Sequence, residues 1–401
     1  MLQSRRRAAT LVAVIAVAAM VMAACSSSKK STSTSSGGGG GGATYALAFA
    51  GPLTGPNASL GINPRNGAQI AIDDANAAGG NIKFTLKEFD TQGDPAQAPT
   101  VKDKYINDAQ VIGVVGPIFS GETKAVLQAY EDAKLVMVSP SATGVALPTV
   151  VPGSKSFHRI VPDDDVQAKG VSDYLTKKVQ AKNVFYINDN SEYGKGLADG
   201  TQKVLEAAGV KTVGTDAIDP KAQDFSAAVN KVKAASPKPD IVYYGGYYAE
   251  AGRLARQLTD ASVKGVFMSG DGSLDQGFIA AAGASGAEGA QITCACKLAR
   301  SSDSGALGTF AKAYKAKYNK EPGTYATEGY DAATMLIKGI KAGNTTREKL
   351  RDYVNGVGTY TGIGKDITFE TNGNIKSGGV FVYQVKSGKI EVLGTTEELT
   401  K

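Results

Sequence analysis

The 401-residue sequence holds one histidine, no tryptophan and three cysteines. A single histidine, His158, leaves no His-based metal cluster and gives a Ser-His-Asp triad only one candidate base. His158 itself reads as a strand-edge residue within 156–160. No Gly-x-Gly-x-x-Gly follows the first candidate strand, where Gly51-Pro52-Leu53-Thr54-Gly55-Pro56 stands instead. A dinucleotide enzyme therefore lacks its phosphate cradle. Charge of one sign is also scarce. The formal net charge is +6. Loss of Arg5, Arg6 and Arg7 with a leader would leave 41 Lys+Arg against 38 Asp+Glu. That balance, +3 and evenly spread, excludes nucleic acid as the natural partner.

What is present begins with the N-terminus. Arg5-Arg6-Arg7 precedes an almost wholly apolar run, Ala8 to Ala24, which is short for a membrane span. Positive charge, apolar run and small residues at the end make residues 1–24 read as a secretory signal. Met22-Ala23-Ala24-Cys25 resembles the lipobox of bacterial lipoproteins, which implies a lipidated Cys25. No second apolar segment of spanning length follows, so the membrane is reached through the lipid anchor only. Residues 26–43 are Ser, Thr, Lys and Gly with a closing Ala. They have little apolar surface to bury, so 25–43 reads as a flexible tether.

From residue 44 the composition turns globular, and 42% apolar with 20% charged residues suits a folded chain long enough for two domains. Short β-rich runs alternate with helical ones. Strands are expected at 45–50, 82–89, 111–116, 135–139, 183–188, 212–218, 240–245 and 265–270. Helices are expected at 66–78, 96–109, 120–133, 166–178, 193–208, 225–234 and 248–261. A helical last third follows at 305–318, 325–342 and 346–354, then strands near 367–370 and 380–385. Strand-helix-strand alternation makes parallel sheets covered on both faces. Two series broken near Val161-Pro162 predict an α/β protein of two doubly wound lobes.

Six motifs, in this order and spacing, carry a resemblance. They are Gly51-Pro-Leu-Thr-Gly, Asp90 with Gly93-Asp94-Pro95, Val114-Val115-Gly116-Pro117 running into Ser120, Ser139-Pro140-Ser141-Ala142-Thr143, Asp189 with Glu192-Tyr193-Gly194-Lys195-Gly196-Leu197, and Val242-Tyr243-Tyr244-Gly245-Gly246-Tyr247. From Tyr45 almost to the C-terminus the chain resembles the type I periplasmic binding proteins, in the leucine/isoleucine/valine-binding branch. That resemblance implies three crossings between lobes, near Pro162, Thr293 and Gly379. Residues 44–162 with 294–379 then form one lobe, and 163–293 with 380–401 the other.

The resemblance also implies a site between the lobes. A zwitterionic amino acid needs donors for its carboxylate and acceptors or an anion for its ammonium. Ser120, where a strand meets a helix, offers a hydroxyl beside free helix N–H groups, the surroundings a carboxylate prefers. Ser141 is expected to act through its backbone and Thr143 through its hydroxyl. Tyr193, Tyr247 and Asp271 come from the second lobe, with Asp271 matching the acidic residue that meets the ammonium. The resembled pattern has Glu there, so the shorter Asp271 calls for a water or a closer approach of the lobes. Leu60, Ile118, Phe119, Tyr247 and Tyr325 map to the side-chain pocket, apolar with aromatic walls. Leu60 replaces an aromatic, Phe119 a cysteine and Tyr325 a phenylalanine. Gly93 and Phe119 stand where the pattern has a disulfide, so that bridge is lacking. Cys294 and Cys296, near the second crossing, are expected to pair in an oxidising exterior.

The expectation is thus an anchored, extracytoplasmic, monomeric receptor without cofactor. It would capture leucine, isoleucine or valine for an ABC permease. The alternative is a sensor domain of the same fold for another amino acid or a small amide.

Overall fold

The protein is described here by a computed structural model covering residues 42–376 and 378–401. The expected leader 1–24, the lipidated Cys25 and nearly all of the tether 25–43 lie outside the described residues.

The first lobe opens with β1 (Ala43–Gly51), α1 (Ser59–Ala77), β2 (Ile82–Asp90), α2 (Ala98–Ile106) and β3 (Val111–Val115). It continues with α3 (Ser120–Asp132), β4 (Val136–Ser139), α4 (Leu147–Val150) and β5 (Phe157–Arg159). These five strands pair in parallel in the order β2-β1-β3-β4-β5. Ala46 to Gly51 are all buried, as are all five residues of β3. A strand hidden on both faces needs such an unbroken small or branched apolar run. His158 lies on the edge strand β5 and is buried against Phe369.

α1 begins seven residues before the expected start and keeps Pro64 inside it. A proline there removes one ladder bond, a loss the helix tolerates because its buried face packs on the sheet and on the last third of the chain.

The chain then enters the second lobe with α5 (Asp164–Asp173), continued by a π-helical turn at Tyr174–Val179, and β6 (Asn183–Asn188). Next come α6 (Glu192–Ala207), β7 (Lys211–Ala217), α7 (Ser226–Ala234), β8 (Ile241–Gly245), α8 (Tyr248–Asp260) and β9 (Val266–Ser269). A 3-10 turn at Asp271–Ser273, α9 (Gln276–Ala287) and β10 (Gln291–Cys294) complete this passage. The helices α10 (Gly305–Tyr318), α11 (Ala326–Lys341) and α12 (Arg347–Asn355) pack on α1, β3 and β4, back on the first lobe. A small ladder of β11 (Thr359–Thr361) and β12 (Asp366–Thr368) follows. β13 (Phe381–Lys386), β14 (Lys389–Thr395) and the short α13 (Thr396–Leu399) return to the second.

The second sheet has seven strands in the order β14-β13-β10-β9-β8-β6-β7. It is mixed where a parallel sheet is expected, because β13 runs antiparallel to β10 and β14 antiparallel to β13. The tight turn between β13 and β14, at Ser387 and Gly388, forces the second of these antiparallel pairings. Cys294 and Cys296 are joined by a disulfide where β10 ends and the chain leaves this lobe, and both are buried. None of the helices among the described residues is long and apolar enough to cross a membrane.

Candidate functional site

The carboxyl ends of β3, β4, β6, β8 and β9 face one cleft, the place where open α/β sheets receive ligands. Each end delivers a loop, and the loops are fixed by their own hydrogen bonds. Between β3 and α3, the N–H groups of Ile118 and Phe119 both donate to Glu122 Oε1, at 3.0 and 2.8 Å. The Thr91 hydroxyl donates to the other Glu122 oxygen. Burial pushes this carboxyl up to about 7, against the pull of those three donors. The Ser141 hydroxyl donates to the Ile118 carbonyl at 2.6 Å, tying the loop after β4 to the loop after β3.

Ser120 is the first residue of α3, with Phe119 in the cap position. Its Oγ accepts from the Gly144 N–H at 3.0 Å, which leaves its proton to be donated. The first N–H groups of α3 have no partner within the helix, by the geometry of any α-helix.

On the second lobe, the first turn of α6 presses against the end of β8. A Cβ on Gly194 would lie 2.5 Å from the Gly245 carbonyl oxygen, so only glycine permits this approach. It holds Tyr193 over Asp271. The Tyr193 hydroxyl accepts from Gly272 N–H at 2.9 Å and donates to Asp271 Oδ1 at 2.9 Å. Gln167 Nε2 reaches the same oxygen at 2.7 Å, and the Tyr325 hydroxyl reaches Oδ2 at 2.5 Å. Tyr325 therefore brings a polar tip as well as a ring to the pocket. Asp271 does not cap the next helix, because Asp275 does, accepting from Gly277 N–H.

A second carboxylate stands beside the first. Asp164 is buried, and its Oδ1 accepts from the same Gln167 Nε2 at 3.0 Å. Its Oδ2, the Gln167 Oε1 and the Thr143 Oγ1 are buried with no hydrogen-bond partner among the described residues. Burial raises Asp164 well above the usual carboxylate range, and the neighbouring Asp271 charge adds to it. Burial raises Asp271 too, while Tyr325, Gln167 and Tyr193 pull it down. Among the described residues no cation hydrogen-bonds or ion-pairs with either group. Arg159 is buried nearby but commits itself to the Ala142 and Gly144 carbonyls, to Asn374 and to Asp163.

The apolar part is aromatic. Phe119 and Tyr247 stack with ring centroids 4.2 Å apart, and Tyr193 lies 5.2 Å from Tyr247. Leu60, Ile118, Phe119, Ser120, Ser141, Tyr193, Tyr247, Asp271 and Tyr325 line a single cavity with Gly272. Thr143 stands behind it, next to Asp164. The cavity is about 10 Å3, the room of one water.

Sequence reasoning missed Asp164 and Gln167. Asp163-Asp164-Asp165 reads as the acidic first turn of a helix, which it also is. The available signal was a Gln three residues after an Asp at a lobe crossing, a spacing that puts both on one helix face. No group of three or more metal-ligating side chains is found among the described residues.

The geometry can be set beside known proteins. Residues 44–389 match the periplasmic binding protein family. A Leu/Ile/Val-binding protein of Rhizobium johnstonii is 36% identical over 356 residues, covering 87% of this chain and 93% of that protein. A leucine-, isoleucine-, valine-, threonine- and alanine-binding protein of Pseudomonas aeruginosa is 32% identical, covering 85% and 90%. Among solved structures, a branched-chain amino acid transporter substrate binding protein of Streptococcus pneumoniae, in complex with isoleucine, superposes with a TM-score of 0.79. It is 27% identical, with 88% of this chain and 99% of that one covered. The chain belongs to the periplasmic binding protein family, in the branch that holds the Leu/Ile/Val-binding proteins.

Proposed function

We propose that the protein is the extracytoplasmic substrate-binding component of an ABC importer, and that it closes its lobes over leucine, isoleucine or valine. The observation that carries this reading is the buried Asp271, backed by Asp164: neither hydrogen-bonds or ion-pairs with a cation among the described residues, and Asp271 lines a cavity with apolar, aromatic walls. An α-ammonium supplies the missing charge beside Asp271, with the Asp164 carboxyl and Thr143 behind it. The α-carboxylate goes to the Ser120 hydroxyl and the first N–H groups of α3, a donor cluster on the opposite lobe. The aliphatic side chain takes the space among Leu60, Ile118, Phe119, Tyr247 and the Tyr325 ring. The relatives named for the same amino acids support this assignment.

In the same reading the protein turns nothing over, is held to the outer face of the membrane by lipid on Cys25, acts as a monomer and hands its ligand to a membrane permease. A thermal-shift screen of the common amino acids tests the ligand. A ligand at 100 times its Kd adds about 2.7 kcal/mol, so the true ligands stand out sharply. A largest shift from a polar or charged amino acid would overturn the aliphatic assignment.

A further inference from the structure

Outside the ligand cavity, one side chain of the first lobe completes a helix of the second. α8 starts after Tyr247, whose side chain provides no capping hydrogen bond. Its third residue, Glu250, reaches back to the Tyr247 N–H at 3.1 Å, but the Ala249 N–H has no partner within the helix. That partner comes from across the cleft. Asn57, in the segment before α1, accepts from Ala249 N–H at 3.1 Å and donates from Nδ2 to Glu250 Oε2 at 3.2 Å. Two residues on, the Ser59 N–H donates to the Tyr248 hydroxyl at 3.3 Å. Glu250 is 1% exposed, so its carboxylate depends on these few donors.

α3, the corresponding helix of the first lobe, is built differently. It too carries a glutamate in third position, Glu122, but the side-chain donor to it is Thr91, from the same lobe. The first lobe's helix is therefore finished before closure and keeps its N-terminus for the ligand. The second lobe's helix is finished only by closure. None of Asn57, Ala249 and Glu250 lines the ligand cavity.

We propose that Asn57 is a latch: a helix cap delivered in trans, made only when the lobes meet, which sets the open–closed balance and thereby the affinity without touching the ligand. The proposal deepens the receptor reading and rests on its closing motion. A ligand's measured affinity contains the closing equilibrium, so loss of the latch weakens binding through faster release. A lost cap is worth about fivefold in an equilibrium constant.

The test uses the full chain as wild type, Asn57→Ala and Asn57→Asp, with spin labels placed one on each lobe. Distance distributions are recorded with and without leucine, alongside the leucine Kd and dissociation rate. Asn57→Ala should lower the closed-to-open ratio and raise the Kd by about fivefold, nearly all in the dissociation rate. Asn57→Asp should be worse, because it sets a second carboxylate against Glu250. Wild-type closed fractions and dissociation rates in both variants would overturn the latch. If wild type ignores leucine, the ligand assignment fails by itself, and the ligand-free closed fraction still decides the latch.

Discussion

Phe119 and Tyr247 stack across the cleft at 4.2 Å, and each is the residue just before a helix whose third position is a buried glutamate. The two lobes thus present the same local device face to face: strand end, aromatic, helix, glutamate. The rings meet where an aliphatic side chain would have to lie, so ligand entry exchanges one apolar contact for another. Stacking of such a pair contributes about 0.5–1.5 kcal/mol beyond its area. A buried aliphatic side chain contributes about 1.5–3 kcal/mol, enough to replace it.

Phe119→Ala follows directly. Removing this wall should weaken leucine and isoleucine by about 1–3 kcal/mol, and alanine by much less, since a methyl hardly reaches it. Calorimetric titration of the variant with the three amino acids reads the difference. An equal loss for all three would place the side chain elsewhere.

The carboxylate pair gives a sharper contrast. Asp271→Asn and Asp164→Asn should each cost about 2–5 kcal/mol in leucine affinity, because a buried ammonium loses a counter-charge. Asp164→Asn should also hold or raise the ligand-free melting temperature, since a neutral amide replaces a carboxyl that burial and its neighbour Asp271 already disfavour as an anion. Near-normal affinity in both variants would move the ammonium site away from them.

The ligand-free protein should lose stability as pH rises. Burial pushes Glu122, Glu250 and Asp331 each up to about 7. A carboxyl raised on folding contributes stability that is complete below its ordinary range and is lost as pH climbs through the folded value. Buried His158, lowered to about 4, acts oppositely and takes stability away as pH falls below its ordinary 6.5. Three raised carboxyls outweigh one lowered imidazole, so melting temperature should fall as pH rises from about 4.5 through about 7 and level off above that. A flat or rising profile over that range would contradict these assignments.

Anchoring is separable from binding. Cys25→Ser should release the protein from the membrane fraction or leave its precursor uncut, while leucine affinity stays within about twofold, as expected when an acyl anchor lies far from the site. Mass spectrometry of membrane-bound protein with an unmodified Cys25 would end the lipid-anchor proposal.

Much of this molecule is legible in the chain. The run Ala46–Gly51, buried along its length, declares a central strand, and the helix 305–318 stands where its periodicity predicts. α1 is longer than its periodicity suggested because tertiary packing holds the turns around Pro64. α9 was not anticipated: its run of Ala and Gly carries no amphipathic stripe. The site residues are written at strand ends, where loops of Ser, Thr, Tyr and Asp stand out. Asp164, Gln167 and Asn57 do not: the partners of Gln167 and Asn57 lie 104 and 193 residues away, and all three neighbourhoods read as ordinary helix starts.

The central claim, an aliphatic amino acid held by its ammonium on the Asp271–Asp164 pair, is tested most directly by isothermal calorimetry of the mature protein with leucine, isoleucine and valine at several temperatures. The account predicts a Kd of about 1 μM or tighter, near −8 kcal/mol, for at least one of them. It also predicts a negative heat-capacity change from burial of the apolar pocket. Absence of binding to all three, with a clear heat from a polar amino acid or a non-amino-acid, would contradict it.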